Sequence, residues 1–172
     1  KFIQPSLYAT ADIARVHPNH IWTVGPILSA LVKRIFSDWW GLLPPIPAYS
    51  AASAILFVVL LIVLYKFVRT RISSSVALLS CLFLAINPRL WNEIHTNPKD
   101  VPSMVIFSLT VMAGISTLEG KYFTLRHSLS VAFLWGLALA TKANALVIPV
   151  LFLFFGILDE KVRSRSLKLV AC

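Results

Sequence analysis

The chain has 172 residues, of which 58% are hydrophobic and only 13% are charged, and its mean hydropathy is +0.79. This composition excludes an ordinary soluble domain and indicates an integral membrane protein. The formal charge of +9 would suggest nucleic-acid binding in a soluble protein. Here the basic residues flank apolar segments, as in cytoplasmic loops, and we therefore expect no nucleic-acid partner. They are Lys66, Arg69, Arg71, Lys121, Arg126, Lys161, Arg163, Arg165 and Lys168.

Residues 1–45 are predicted to form an external loop that contains an interfacial helix at 21–36. Within that helix, apolar residues recur at 21, 24, 28, 31 and 35, which is the spacing of one helix face. An amphipathic helix of this kind suits the membrane interface better than the membrane interior.

Three membrane spans follow, at about residues 46–66, 73–87 and 101–118. The first contains an uncharged apolar run of about 20 residues, the length that a helix needs to cross a hydrocarbon core of about 30 Å. Its basic C-terminal end is expected to stay on the cytoplasmic side. The polar stretch between the second and third spans then lies on the external side.

The apolar run 128–158 is too long for one crossing without an extreme tilt. Either it is such a tilted crossing, or it is a short helical hairpin with arms at 128–140 and 144–158. We favour the hairpin because it keeps both basic ends, including a cytoplasmic loop at 159–172, on the same side. Its tip at Lys142 then lies in a protein-lined cavity near the external surface.

Asp100 is the sharpest candidate for chemistry, because prolines at 98 and 102 fix its depth just before the third span. A carboxylate in this position can bind a metal, accept a proton or hold a sugar. It can equally be an N-terminal helix cap that compensates the helix dipole. Both roles stay open at this point.

Lys142 is costly within an apolar stretch, by about 2.5 to 3.5 kcal/mol, unless it meets an anion or reaches the headgroups. A lipid phosphate is one such anion, and a loop lysine that contacts headgroups is the alternative. Histidines also occur in the external segments, at His17, His20 and His95, but each is a weak signal by itself.

The order of these features resembles the GT-C membrane glycosyltransferases, in particular the bacterial relatives of dolichyl-phosphate-mannose protein mannosyltransferases and of lipid A aminoarabinose transferases (family 39-type). The motifs that carry the resemblance are His17-Pro18 before an amphipathic helix, Asn87-Pro88, Asn97-Pro98-Lys99-Asp100-Val101-Pro102, and Gly136-Leu-Ala-Leu-Ala-Thr-Lys142. The resemblance implies an all-α polytopic membrane protein with a GT-C-like transmembrane helix bundle, an interfacial amphipathic helix and external polar loops.

The resemblance also implies that a sugar moves from a polyprenyl-phosphate-linked donor to an acceptor, a protein or a glycolipid, on the external side of a membrane. Asp100 would be the acid of the second external loop, and a divalent metal cofactor stays open. The acidic residue of the first external loop has no match here, so we expect the chain to be a fragment that is inactive alone. We expect a bacterial or archaeal plasma membrane as its location.

In such a reaction the carrier phosphate needs cations, for which Lys99 and Lys142 are candidates. His95 and Asn97 can hydrogen-bond sugar or phosphate, and His17 belongs to the same substrate-binding group. The alternative function is a transporter with a re-entrant hairpin around Lys142. Transporters place ionisable groups at the midplane, whereas nearly all acids here lie in loops, and this favours the enzyme.

Overall fold

The computed structural model describes residues 24–119 and 125–158, and these residues form helices and no strand. The prediction of an all-α protein is therefore confirmed. The described helices are α1 (Val24–Lys33), continued by a π-helical segment (Arg34–Trp39), then α2 (Pro45–Arg69), α3 (Ser74–Ala85), α4 (Pro88–Thr96), α5 (Asp100–Glu119), α6 (Leu125–Thr141), a short 3-10 turn (Ala143–Leu146) and α7 (Val147–Leu158).

Two of the described helices, α2 and α5, are long and apolar enough to cross a membrane. They have 25 and 20 residues, so that at about 1.5 Å per residue each can cross a hydrocarbon core of about 30 Å. Prolines at 45 and 47 suit the first turn of α2, where their missing N–H groups have no helical partner. Lys66 and Arg69 lie in its last turn, where positive charge is favourable.

Helices α3 and α4 form a bent pair with an angle of 57° between them, which makes a third candidate span if the pair counts as one. The sequence predicts a polar loop after residue 87, whereas the structure begins a new helix at Pro88. Asn87 caps it, since its side-chain oxygen accepts from the backbone N–H of Arg89 at 3.0 Å. The Trp91 indole donates to the Ala85 carbonyl at 2.6 Å and thereby joins α4 to the end of α3.

Helix α5 contributes side chains to two apolar clusters. One joins it to α2 and α4 through Phe57, Leu60, Ile94, Val101, Val105 and Met112. The other joins it to α6 and the start of α7 through Ile106, Ala138, Ala145 and Ile148. Because both clusters include residues from the first half of α5, the entrance of this helix is held on several sides.

Helix α7 runs in the same direction as α5, whereas α6 runs in the opposite direction. Ile148 packs near Ile106, and a side chain at Gly114 would meet the ring of Phe152. The two arms in the structure are thus α6 and α7, joined by the turn that follows Lys142.

The outward faces of the helices carry large apolar side chains. Phe83, Phe133 and Leu153 are 70%, 68% and 66% exposed, respectively. An apolar surface of this kind is unfavourable in water but favourable against lipid tails. It agrees with an integral membrane protein.

Helix α1 packs against α2, and the residues that it buries are the small Gly25 and Ser29. The amphipathic pattern predicted for 21–36 puts Leu31 on the apolar face, and in the structure this side chain is 52% exposed. Gly25 and Ser29 lie on the opposite side of the helix, where small side chains let two helices approach closely.

Candidate functional site

The entrance of α5 is shaped by Asn97. Its side-chain oxygen accepts from the backbone N–H groups of Lys99 at 3.0 Å and Asp100 at 3.2 Å. These N–H groups precede or begin the helix and have no partner within it. Asn97 therefore performs the capping that the sequence left open as a role for Asp100, and the Asp100 carboxylate is available for other contacts.

The carboxylate of Asp100 joins two segments that lie far apart in the chain. Its Oδ2 accepts from the amide nitrogen of Asn97 at 2.8 Å. Its Oδ1 accepts from the ammonium group of Lys142 at 2.9 Å, across 42 positions of sequence. The two charged side chains are 45% and 44% exposed. The pair is thus accessible to a ligand, and it is fixed by hydrogen bonds on both oxygens.

Lys142 reaches Asp100 because α6 ends just before it. Its backbone N–H still donates to the Ala138 carbonyl at 3.0 Å, and its backbone is then extended. The turn that follows is held by Trp135, whose indole donates to the Ala145 carbonyl at 3.0 Å. The predicted tip of the hairpin is therefore an ordered turn that presents an ammonium group to the entrance of α5.

Helix α1 supports the same loop from another side. A Cβ atom at Gly25 would overlap the carbonyl oxygen of Pro98 and would lie 3.4 Å from the Cα atom of Lys99. Glycine is thus required at this position for α1 to touch the loop so closely. The sequence offers no signal for this contact, because Gly25 looks like one more small residue in an apolar helix.

Of the predicted site residues, Asn97, Lys99, Asp100 and Lys142 lie together in the structure. Lys99 is half-buried and adjoins Asp100. His95 is exposed in the last turn of α4, two residues before Asn97. His17 lies outside the residues that the structure describes.

Asn97, Lys99, Asp100 and Lys142 form a cluster whose charges favour an anion more than a metal ion. The ammonium group of Lys142 contacts the Asp100 carboxylate, Lys99 adds a second positive charge next to Asp100 in the sequence, and the N-terminus of α5 adds its partial positive charge. Among residues 24–119 and 125–158, no three side chains from His, Cys, Asp and Glu are grouped so that they could share a metal ion. The cluster can hold a phosphate.

The fold and the cluster together define a class: an all-α integral membrane protein with a charged site at the end of its apolar helices. Residues 24–172 match the family model of dolichyl-phosphate-mannose-protein mannosyltransferases, and the chain belongs to this family. By this membership it is a membrane glycosyltransferase, and the family resemblance seen in the sequence is confirmed. The transporter alternative is not favoured. No curated protein and no solved structure matches the chain.

Proposed function

We propose that the intact protein transfers a sugar from a polyprenyl-phosphate-linked donor to an acceptor on the external side of the membrane, with Asp100 at the reaction centre. The observation that supports this proposal is the hydrogen-bonded pair of Asp100 and Lys142 at the entrance of α5. The pair brings a carboxylate and an ammonium group together at the end of a helix that can cross the membrane. A plasma membrane of a bacterium or an archaeon remains the expected location.

The leaving group in this reaction is the carrier phosphate. When the bond between the anomeric carbon and the phosphate oxygen breaks, negative charge grows on the phosphate, and fixed cations nearby stabilise that charge. Lys142 uses one N–H group for Asp100, and an ammonium group has three. The other two can bind phosphate oxygens, and the ammonium of Lys99 is a second cation for the same group.

The acceptor must lose a proton as it attacks. A carboxylate can take this proton from a hydroxyl or amine group if it lies within hydrogen-bond reach. Both oxygens of Asp100 keep lone pairs after their contacts with Asn97 and Lys142. We assign this role to Asp100 and assign contacts with the sugar to His17, His95 and Asn97.

The test is Asp100→Asn in the full-length protein, with transfer measured from a lipid-linked sugar donor. The amide keeps the size and one acceptor oxygen but cannot take the proton, so we expect transfer to fall by about 10²- to 10⁴-fold. Glu93→Gln is the matched control, because it removes the same charge from α4 at a residue with no role in the site. Membrane insertion and melting temperature are measured for both variants. Normal transfer by Asp100→Asn would reject the assignment of Asp100.

A further inference from the structure

A groove lies at the other end of α5, between the ends of α2 and α5 and the middle of α6. This groove is open on one side and has a volume of about 430 Å³. The side chains of its walls are apolar and come from all three helices: Val63, Phe67, Leu109, Met112, Ala113 and Leu134. Polar residues, all of them exposed, line the rim, namely Lys66, Thr70, Arg71 and Ser116. The groove is therefore amphipathic, with an apolar interior and a basic edge.

The two cations at the rim differ in how far the protein neutralises them. Arg71 donates through Nε to the Glu119 carboxylate at 2.8 Å and through Nη2 to the Ser116 hydroxyl at 3.0 Å. Its charge is therefore compensated. Lys66 is in none of the ion pairs found in the described ranges. Within the described residues, its ammonium group is thus an uncompensated positive charge at the edge of an apolar groove.

We propose that this groove binds an anionic phospholipid, with the phosphate at Lys66 and an acyl chain between α2, α5 and α6. Charge complementarity supports this occupant, because a zwitterionic choline lipid would bring a second cation to a rim that is already positive. The position also fits, since basic residues at the end of a span lie at the depth of lipid phosphates. This role is separate from sugar transfer and does not depend on the function of Asp100.

The experiment is native mass spectrometry of the full-length protein in mild detergent, with phosphatidylglycerol or phosphatidylcholine of equal chain length. We expect the wild type to retain phosphatidylglycerol preferentially. Lys66→Gln should lower this retention about fivefold, the effect of one basic residue near an anionic headgroup. Arg69→Gln is the matched control, because it removes one charge from the same helical turn without lining the groove, and its retention should stay within about twofold.

A third arm tests the acyl chain. Glycerol phosphate carries the charge without the chains, and at equal concentration it should not displace phosphatidylglycerol. The proposal is wrong if both lipids are retained equally, if Lys66→Gln and Arg69→Gln cause the same loss, or if glycerol phosphate displaces the lipid. Equal losses would mean general attraction to a basic surface, and displacement would mean that the apolar groove is not used.

Discussion

Asn97 performs two tasks with one side chain. Its oxygen accepts from the backbone at the entrance of α5, and its nitrogen donates to the Asp100 carboxylate. Only an amide can do both, because a carboxylate has no donor and a hydroxyl is too short to span the same set of partners. The identity of residue 97 therefore determines both where α5 begins and how Asp100 is oriented.

Two substitutions at residue 97 should separate these tasks. In Asn97→Ala both are lost, and we expect the free energy of unfolding to fall by about 1 kcal/mol, the usual cost of a lost helix cap. In Asn97→Asp the capping oxygen is kept, but a second carboxylate now faces Asp100 and repels it. We therefore expect Asn97→Asp to reduce sugar transfer at least as much as Asn97→Ala while destabilising the protein less. Thermal unfolding and transfer assays on the same preparations measure both effects, and equal losses of stability would contradict the separation.

The pair of Asp100 and Lys142 is too exposed to be a major source of stability. Ion pairs at half-exposed positions contribute roughly 0.2 to 1 kcal/mol, and each side chain here is more than 40% exposed. The placement of the two charges is then better explained by a ligand than by folding. Mutation can test whether the pair serves ligand binding or folding.

Exchange of the two residues tests whether the site needs a charge pair or a carboxylate at residue 100. Asp100→Lys and Lys142→Asp each put two like charges together and should lower the melting temperature. The double variant restores an opposite pair and should regain most of that loss. Transfer should stay abolished in the double variant, because the carboxylate then projects from the turn after α6. Recovery of transfer would show that the pair is only structural.

At the scale of the elements, glycines allow the close approach of neighbouring segments around the site. Gly25 is the clearest case, because the nearest atoms to an added Cβ are backbone atoms of Pro98 and Lys99 that cannot rotate away. We predict that Gly25→Ala displaces α1 from the loop at a cost of about 1 to 3 kcal/mol and reduces transfer. Gly136→Ala is the control, since no atom of the described residues lies within 4 Å of an added Cβ at this position in α6. Its stability should be unchanged or should rise by up to about 1 kcal/mol, as measured by thermal unfolding.

The contact between α5 and α7 gives a second prediction at this scale. A Cβ atom at Gly114 would overlap the tip of the Phe152 ring, with Cε1 at 2.6 Å. We expect Gly114→Ala to destabilise the protein by about 1 to 3 kcal/mol. Phe152→Leu removes the ring tip, so the double variant should lose less than the sum of the single variants, by about 0.5 kcal/mol or more. Strict additivity in thermal unfolding would contradict the proposed contact.

The elements differ in how far the sequence alone predicts them. Apolar length is sufficient to locate α2 and α5, and the spacing of basic residues favours two arms around Lys142. Helix α4 is missed because its composition is polar. Its signals are Asn87-Pro88 as cap and first residue, and the spacing of Leu90 and Ile94, which places both on the face toward the core.

The site was only partly predictable from the sequence, because some of its residues meet only through tertiary contacts. Asn97, Lys99 and Asp100 are neighbours in sequence, so their proximity in space follows directly from the chain. The approach of Lys142 required the hairpin and the family resemblance. Gly25 and Trp135 support the site through tertiary contacts, which no local sequence pattern predicts.

At the scale of the whole molecule, α5 connects two charged ends. Asp100 and Lys142 lie at its first residue, and Glu119 with Arg71 lies at its last. A helix of 20 residues is about 30 Å long, close to the hydrocarbon thickness of a bilayer. The two ends should therefore face opposite sides of the membrane, with the basic end inside.

Labelling of single cysteines tests this orientation in a background with Cys81→Ser and Cys172→Ser. Thr96→Cys lies four residues before Asp100, and Ile72→Cys lies next to Arg71 at the other end; both positions are exposed. A membrane-impermeant maleimide added to intact cells should label Thr96→Cys, and it should label Ile72→Cys only after permeabilisation. Both should react in detergent, which controls for accessibility. Labelling of both from one side would mean that α5 does not separate them across the bilayer, and reversed labelling would exclude an external site for sugar transfer.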